Sequence, residues 1–155
     1  MATTEIKTQN QNGILYVNIT GAIDEKFSTH VAAIPEANEI TINLKNLKII
    51  NSTGIREWIK FLQKRSKSKI CFEECPKIFI DQVNMVQGFV PSSENILSFY
   101  VPYYNEDNDS EKSVLFSKGK EFDRKKLNPP KITDDSGQEM EIDVVEAKYF
   151  KFIMS

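Results

Sequence analysis

Residues 40–62 read ITINLKNLKIINSTGIREWIKFL, and a change of period inside this stretch decides the fold. Ile40, Ile42 and Leu44 alternate with Thr41 and Asn43, the pattern of a strand with one buried face. After a tight loop, Ile55, Trp58, Ile59 and Leu62 recur at i, i+3, i+4 and i+7, one face of a helix, while Arg56, Lys60 and Lys64 lie on another. Between the two sit Asn51, Ser52, Thr53 and Gly54: three residue types that cap helix starts, then one small enough for close backbone approach. Ser52 and Thr53 therefore stand where outward-pointing N–H groups favour negative charge.

Upstream, residues 4–9 and 13–20 read as two strands joined at Gln11, Asn12 and Gly13, with Asn-Gly as the hairpin signal. Asp24, Phe27, Val31 and Ile34 predict a short helix that stops before Pro35. His30 sits on it as a surface or capping residue, since no second ligand or nucleophile is spaced to work with it. Downstream, Lys69–Glu73 (KICFE) is a strand, and Cys75-Pro76 opens a helix through Phe79, Val83 and Val86 that ends at Gly88. The order gives a mixed α/β fold, a sheet carrying its helices mainly on one face.

The stretch GILYVNITGAIDEKF at 13–27, with Gly21 and Asp24, and the segment 40–62 together resemble STAS domains, the family of bacterial anti-sigma-factor antagonists. That family carries an apolar strand ending in Asp-Leu, an apolar pair, and Asp-Ser-Ser/Thr-Gly opening a helix. The resemblance covers about residues 5–90. It implies that Ser52, the first hydroxyl of the loop, is the phosphoacceptor. It further implies that Asp24, Asn51, Thr53, Gly54 and Arg56 contribute to a partner-binding surface. Two residues depart from the family pattern, because Asn43 and Asn51 stand where it has aspartates, so the acid that could help a kinase orient the hydroxyl is missing. On the residues alone, Ser52 is equally a simple helix cap.

Length and composition set bounds. A chain of 155 residues suits one domain, or one domain with a small appendage, and can hold a core unaided. Hydrophobic residues at 40% and a net charge of -2 argue against disorder and against a general pull towards nucleic acid or anionic membrane. No apolar run approaches the roughly 18 residues of a membrane span. The opening residues MATTEIKTQN lack a secretory pattern, so a cytoplasmic location is expected. Cys71 and Cys75 lie four apart in an extended segment, so they should be roughly 13 Å apart and stay reduced. At the helix start, the Cys75 thiol is read as a small buried residue rather than a reactive one.

A boundary is expected at Pro91–Glu94, dividing a STAS-like domain at 1–91 from a β-rich extension at 92–155. Asn95–Tyr103 alternates as a strand that can have both faces covered, Val114–Phe116 is a short strand, and Glu141–Met154 carries helical stripes of Val144, Ala147 and Phe150 or Val145, Tyr149 and Phe152. The polar run NEDNDSEK fails as a calcium loop. Asn105, Asp107 and Asp109 fit, but Ser110 and Phe116 replace the required Gly and Glu. The extension is also similar to zinc-ribbon-like appendages of some STAS-like proteins, with the knuckle places at Asn105, Asn108, Thr133 and Ser136 and Gly137 after the second. None of the four is a cysteine, so the resemblance implies a ribbon that has lost its metal. The basic clusters Lys64, Arg65, Lys67, Lys69 and Lys118, Lys120, Arg124, Lys125, Lys126 read as solvated faces.

The functional expectation is a non-enzymatic regulatory module without cofactor or metal. Its loop and helix at 51–62 would bind a protein partner, which the resemblance identifies as an anti-sigma factor or its kinase, with Ser52 as a possible switch. Neither nucleic-acid binding nor membrane insertion is expected. An enzyme would need a nucleophile with a base, a bound metal, or a Gly-rich phosphate loop with its Lys, and the sequence offers none of these. The alternative is a small-molecule sensor that takes a nucleotide or lipid near the same loop.

Overall fold

The computed structural model describes residues 3–155, so Met1 and Ala2, part of the segment read above for a secretory pattern, lie outside it. The chain opens with a hairpin of β1 (Glu5–Gln11) and β2 (Ile14–Ile23), paired in register from Glu5–Thr20 to Gln11–Ile14. Its two turn residues, Asn12 and Gly13, both have positive φ, the geometry that makes Asn-Gly a tight hairpin turn. β3 (Glu39–Asn43) pairs parallel to β2, and β5 (Lys69–Glu73) pairs parallel to β3. Leu15, Val17, Ile19, Ile40, Ile42, Ile70 and Phe72 are all buried on one side of this sheet. Helices α1 (Phe27–Val31), α2 (Ser52–Lys64) and α3 (Lys77–Met85) cover that side, as the mixed α/β expectation requires.

One departure lies inside the deciding stretch. The alternation at 40–44 predicts one strand and then a loop, yet the structure adds β4 (Leu47–Ile50), which pairs parallel to Gly21–Ile23 of β2. β3 and β4 follow the same edge of β2, separated by a turn in which Leu47 N–H bonds Leu44 O at 3.0 Å and Gly21 N–H bonds Asn46 O at 3.0 Å. A four-residue strand is too short to show a period, and its pairing partner lies more than twenty residues upstream. The register shift between Gly21 and Ala22 occurs at a glycine with φ +92, where a side chain would collide with the Thr3 carbonyl.

Trp58 is the centre of the main core. Its ring lies 5.6–5.9 Å from those of Phe27, Phe61, Phe72, Phe79 and Phe89, and its indole N–H donates to Phe89 O at 2.8 Å. Cys71 and Cys75 are free, and Cys75 is fully buried, which pushes its thiol well above the ordinary range. It is a small core residue, as read.

The extension joins edge to edge with the first sheet. β6 (Ser98–Asn105) pairs antiparallel with β7 (Ser110–Ser117) along one edge. Its other edge meets β5 through Leu97 N–H to Phe72 O (2.7 Å) and Tyr100 N–H to Cys75 O (2.9 Å), then meets β11 (Glu139–Ile142), which in turn pairs with β10 (Ile132–Thr133). A small ladder of β8 (Phe122–Asp123) and β9 (Lys126–Leu127) completes it. Two expectations are corrected here. Phe99, Val101 and Tyr103 are buried, but Tyr100, Pro102 and Tyr104 on the opposite face of β6 are only half-covered. The helix predicted over Glu141–Met154 is a strand to Ile142 followed by two single turns, α4 (Glu146–Tyr149) and α5 (Lys151–Met154). The physical reason lies at the break itself: Asn84 of α3 takes the backbone groups that a continuous helix would use, its Nδ2 donating to Tyr149 O at 2.8 Å and its Oδ1 accepting from Phe152 N–H at 3.0 Å, while Tyr149, Phe150, Phe152 and Ile153 are all buried. The break at Phe150 lets them surround Phe99, whose ring lies 5.1–6.1 Å from those of Tyr149, Phe150 and Phe152.

Candidate functional site

The ends of β2 and β4 lie side by side, and α2 starts there. Asn51 N–H donates to Ile23 O at 3.2 Å, which ties the helix start to the end of β2. The Asn51 side chain then closes the N-terminus, its Oδ1 accepting from Gly54 N–H at 2.8 Å. Gly54 is buried against β2, and a Cβ there would land on the Ile23 carbonyl, so only glycine lets the helix sit this close. Among three candidate caps, therefore, Asn51 is the cap and Ser52 is the first helical residue.

Ser52, Thr53 and Arg56 are exposed on the open face of the first turns of α2. Asp24 is half-buried beside them, with its Oδ1 accepting from Lys26 N–H at 3.0 Å. The structure thus gathers Asp24, Asn51, Ser52, Thr53, Gly54 and Arg56 at one end of the sheet, with Asn51 and Gly54 locked, Ser52, Thr53 and Arg56 open, and Asp24 half-buried between these extremes.

Glu25 also belongs to this end, and the sequence reading passed it over. Its Oε2 accepts from Asn51 Nδ2 at 3.1 Å. Hydrogen bonds from its own backbone N–H and then from the Asn51 amide hold its carboxyl below the usual range, so it is ionised at neutral pH. Only the pairing of β4 with β2 brings residue 51 to residue 25, and that pairing was not legible. Asn43 shows the same arrangement, since its Nδ2 donates to Glu74 Oε2 at 2.6 Å and Glu73 Oε1 at 3.3 Å. An aspartate at either position would face carboxylates instead of donating to them. Each amide is therefore matched to an acid on a neighbouring element.

In the extension, Asn105, Asn108 and Ser136 converge on Asp134. Asn105 Nδ2 and Asn108 Nδ2 donate to Asp134 Oδ2 at 2.8 and 2.7 Å, while Ser136 N–H, Ser136 Oγ–H and Gln138 N–H donate to Asp134 Oδ1 at 2.9, 2.5 and 3.0 Å. The two hairpin turns, each with a left-handed residue at Asp109 or Gly137, close on one carboxylate, while Thr133 stays exposed. The donors from Ser136, Asn108 and Asn105 hold that carboxyl far below its ordinary range. A depressed pKa means stability that is present above about pH 4 and is lost as pH falls further. Asp134→Asn should therefore melt below wild type at pH 7, with the gap narrowing as the pH is lowered past about 4. A gap unchanged down to pH 2 would show that the charge is not what holds the turns.

The basic clusters are partly committed to structure. Arg65 donates to Pro35 O at 2.8 Å and Ile34 O at 2.6 Å and lies over the Phe61 ring, while Arg124 pairs with Glu94 at 3.1 Å. His30 is half-buried on α1. Among the described residues no helix is long and apolar enough to cross a membrane, and no group of three or more His, Cys, Asp or Glu is placed to hold a metal.

No known protein family model matches the chain, and no curated protein does so either. Among solved structures it is similar to the crystal structure of an anti-sigma factor antagonist from Mycobacterium paratuberculosis, at 16% identity and a TM-score of 0.37, over 46% of this chain and 67% of that one.

Proposed function

We propose that this chain is a non-enzymatic regulatory module that binds a protein partner through the loop and helix at 51–62, in the cytoplasm, with Ser52 as the point of control. The observation that carries this reading is the contrast at the start of α2. Asn51 and Gly54 are fixed by hydrogen bonding and close packing, whereas Ser52, Thr53 and Arg56 project into solvent. A rigid, exposed turn loses little entropy when a partner covers it. Asp24 flanks this surface, and the kind of partner is the one the family resemblance names, an anti-sigma factor or its kinase.

Phosphorylation of Ser52 would add about −1.5 to −2 charges at a helix N-terminus, where dipole and N–H groups favour them. The fold should tolerate this. The interface should not, because Glu25 is already anionic nearby and a dianion buried under a partner would have to be desolvated. Ser52→Asp is expected to keep the native circular dichroism and to weaken partner binding at least roughly tenfold, about 1.4 kcal/mol. The check is affinity capture from the native cell with wild type, Ser52→Ala and Ser52→Asp as baits. A protein recovered by the first two and lost with the third supports the reading; equal recovery by all three makes Ser52 only a helix residue.

A further inference from the structure

The uncovered face of the extension carries a second arrangement. Along β6, Tyr100, Pro102 and Tyr104 point away from the core at two-residue intervals and stay half-exposed. In the ladder, Tyr104 stands directly opposite Glu111 of β7 on one side and Glu141 of β11 on the other, so an aromatic ring lies between two exposed carboxylates. At the other end of the strip, the Tyr100 hydroxyl donates to Glu74 Oε1 at 2.8 Å, and Glu73 lies beside Glu74 on the shared Asn43 amide. Between the ends lies Pro102, and the exposed Leu115, which pairs with Tyr100, adds apolar surface at the Tyr100 end. Lys45 is the cation whose field reaches Glu74, and Lys112 is turned to the opposite side, where its Nζ donates to Thr133 O.

We propose that this face is a docking surface for an extended, cationic peptide segment of a partner protein, distinct from the surface at α2. Charge and shape decide the occupant. Tyr100 and Tyr104, four residues and about 13 Å apart along the strand, each have carboxylates beside them, which fits two basic side chains about four residues apart in an extended chain. Arginine suits the Tyr104 end best, since a guanidinium can stack on the ring while it bonds the flanking carboxylates. Apolar residues between the two arginines would lie on Pro102, with Leu115 beside the Tyr100 end.

The test uses the full chain and a fluorescein-labelled peptide, GRVPLRG, measured by fluorescence anisotropy at low and high salt. Binding in the micromolar range that weakens with salt is expected. The Glu111→Gln, Glu141→Gln double variant, exposed and remote from the core, should weaken it at least tenfold with an unchanged melting temperature. Tyr104→Ser should weaken it severalfold, and the charge-reversed peptide GEVPLEG should not bind. Equal affinity of the double variant and wild type, equal binding of the acidic peptide, or no binding of the arginine peptide at millimolar concentration would each overturn the proposal. Ser52→Asp should leave this peptide's affinity untouched, so the outcome is independent of the α2 site.

Discussion

Trp58→Ala is expected to cost at least about 3–5 kcal/mol, a large part of the 5–15 kcal/mol that a domain of this kind has in total. The side chain is fully buried, and its ring is shared by five phenylalanines drawn from α1, α2, β5, α3 and the segment after α3. Removal leaves a cavity that these elements cannot all collapse into at once. It also leaves Phe89 O without the indole donor in a buried site, a further cost. Trp58→Phe keeps one ring but loses the hydrogen bond and part of the buried volume, so it should cost less than Trp58→Ala and at least about 1–3 kcal/mol. Urea unfolding measures both. Because the chain has a single tryptophan, native emission should be blue-shifted and move red on unfolding. A Trp58→Ala protein as stable as wild type would refute the role given to this residue.

Truncation after Gly137 should have a comparable effect by a different route. It removes β11, one neighbour of β6, and with it Tyr149, Phe150, Phe152 and Ile153, all buried. Phe99 and Phe116 then lose the rings packed on them, and a continuous apolar surface is exposed. Asn84 on α3 also loses both its partners, since its Nδ2 donates to Tyr149 O at 2.8 Å and its Oδ1 accepts from Phe152 N–H at 3.0 Å. The shortened chain should aggregate or bind a hydrophobic dye strongly, and the first sheet should unfold at lower urea. A soluble, equally stable product would show that the last residues only decorate the surface.

The sequence was most legible where a pattern is local. The hairpin at Asn12-Gly13, the strand KICFE and the helix bearing Trp58 stand where period and turn chemistry place them. It was least legible where pairing across the chain decides. β4 exists because Gly21–Ile23 offers it an edge, and the last residues forgo one continuous helix because Glu141 and Ile142 pair with β6 and Asn84, more than fifty residues upstream, takes the backbone groups of Tyr149 and Phe152. The candidate site divides in the same way. Asn51, Ser52 and Gly54 carry their signals in residue type, but Glu25 reaches Asn51 only through the contact of β2 with β4. The role of Asp134 was equally hidden, since its bonds to Asn105, Asn108 and Ser136 join two turns more than twenty residues apart in the chain.

If the open start of α2 is a protein-binding surface, as proposed, a photo-crosslinker at residue 56 will capture what covers it. Benzoylphenylalanine in place of Arg56, irradiated in the native cell, should give a discrete higher-mass adduct with another protein. The same group in place of Gln9, exposed on β1, should give none. Adding Ser52→Asp should abolish the adduct at 56 while the circular dichroism stays native. No adduct from residue 56, or one that persists undiminished with Ser52→Asp, would contradict the claim.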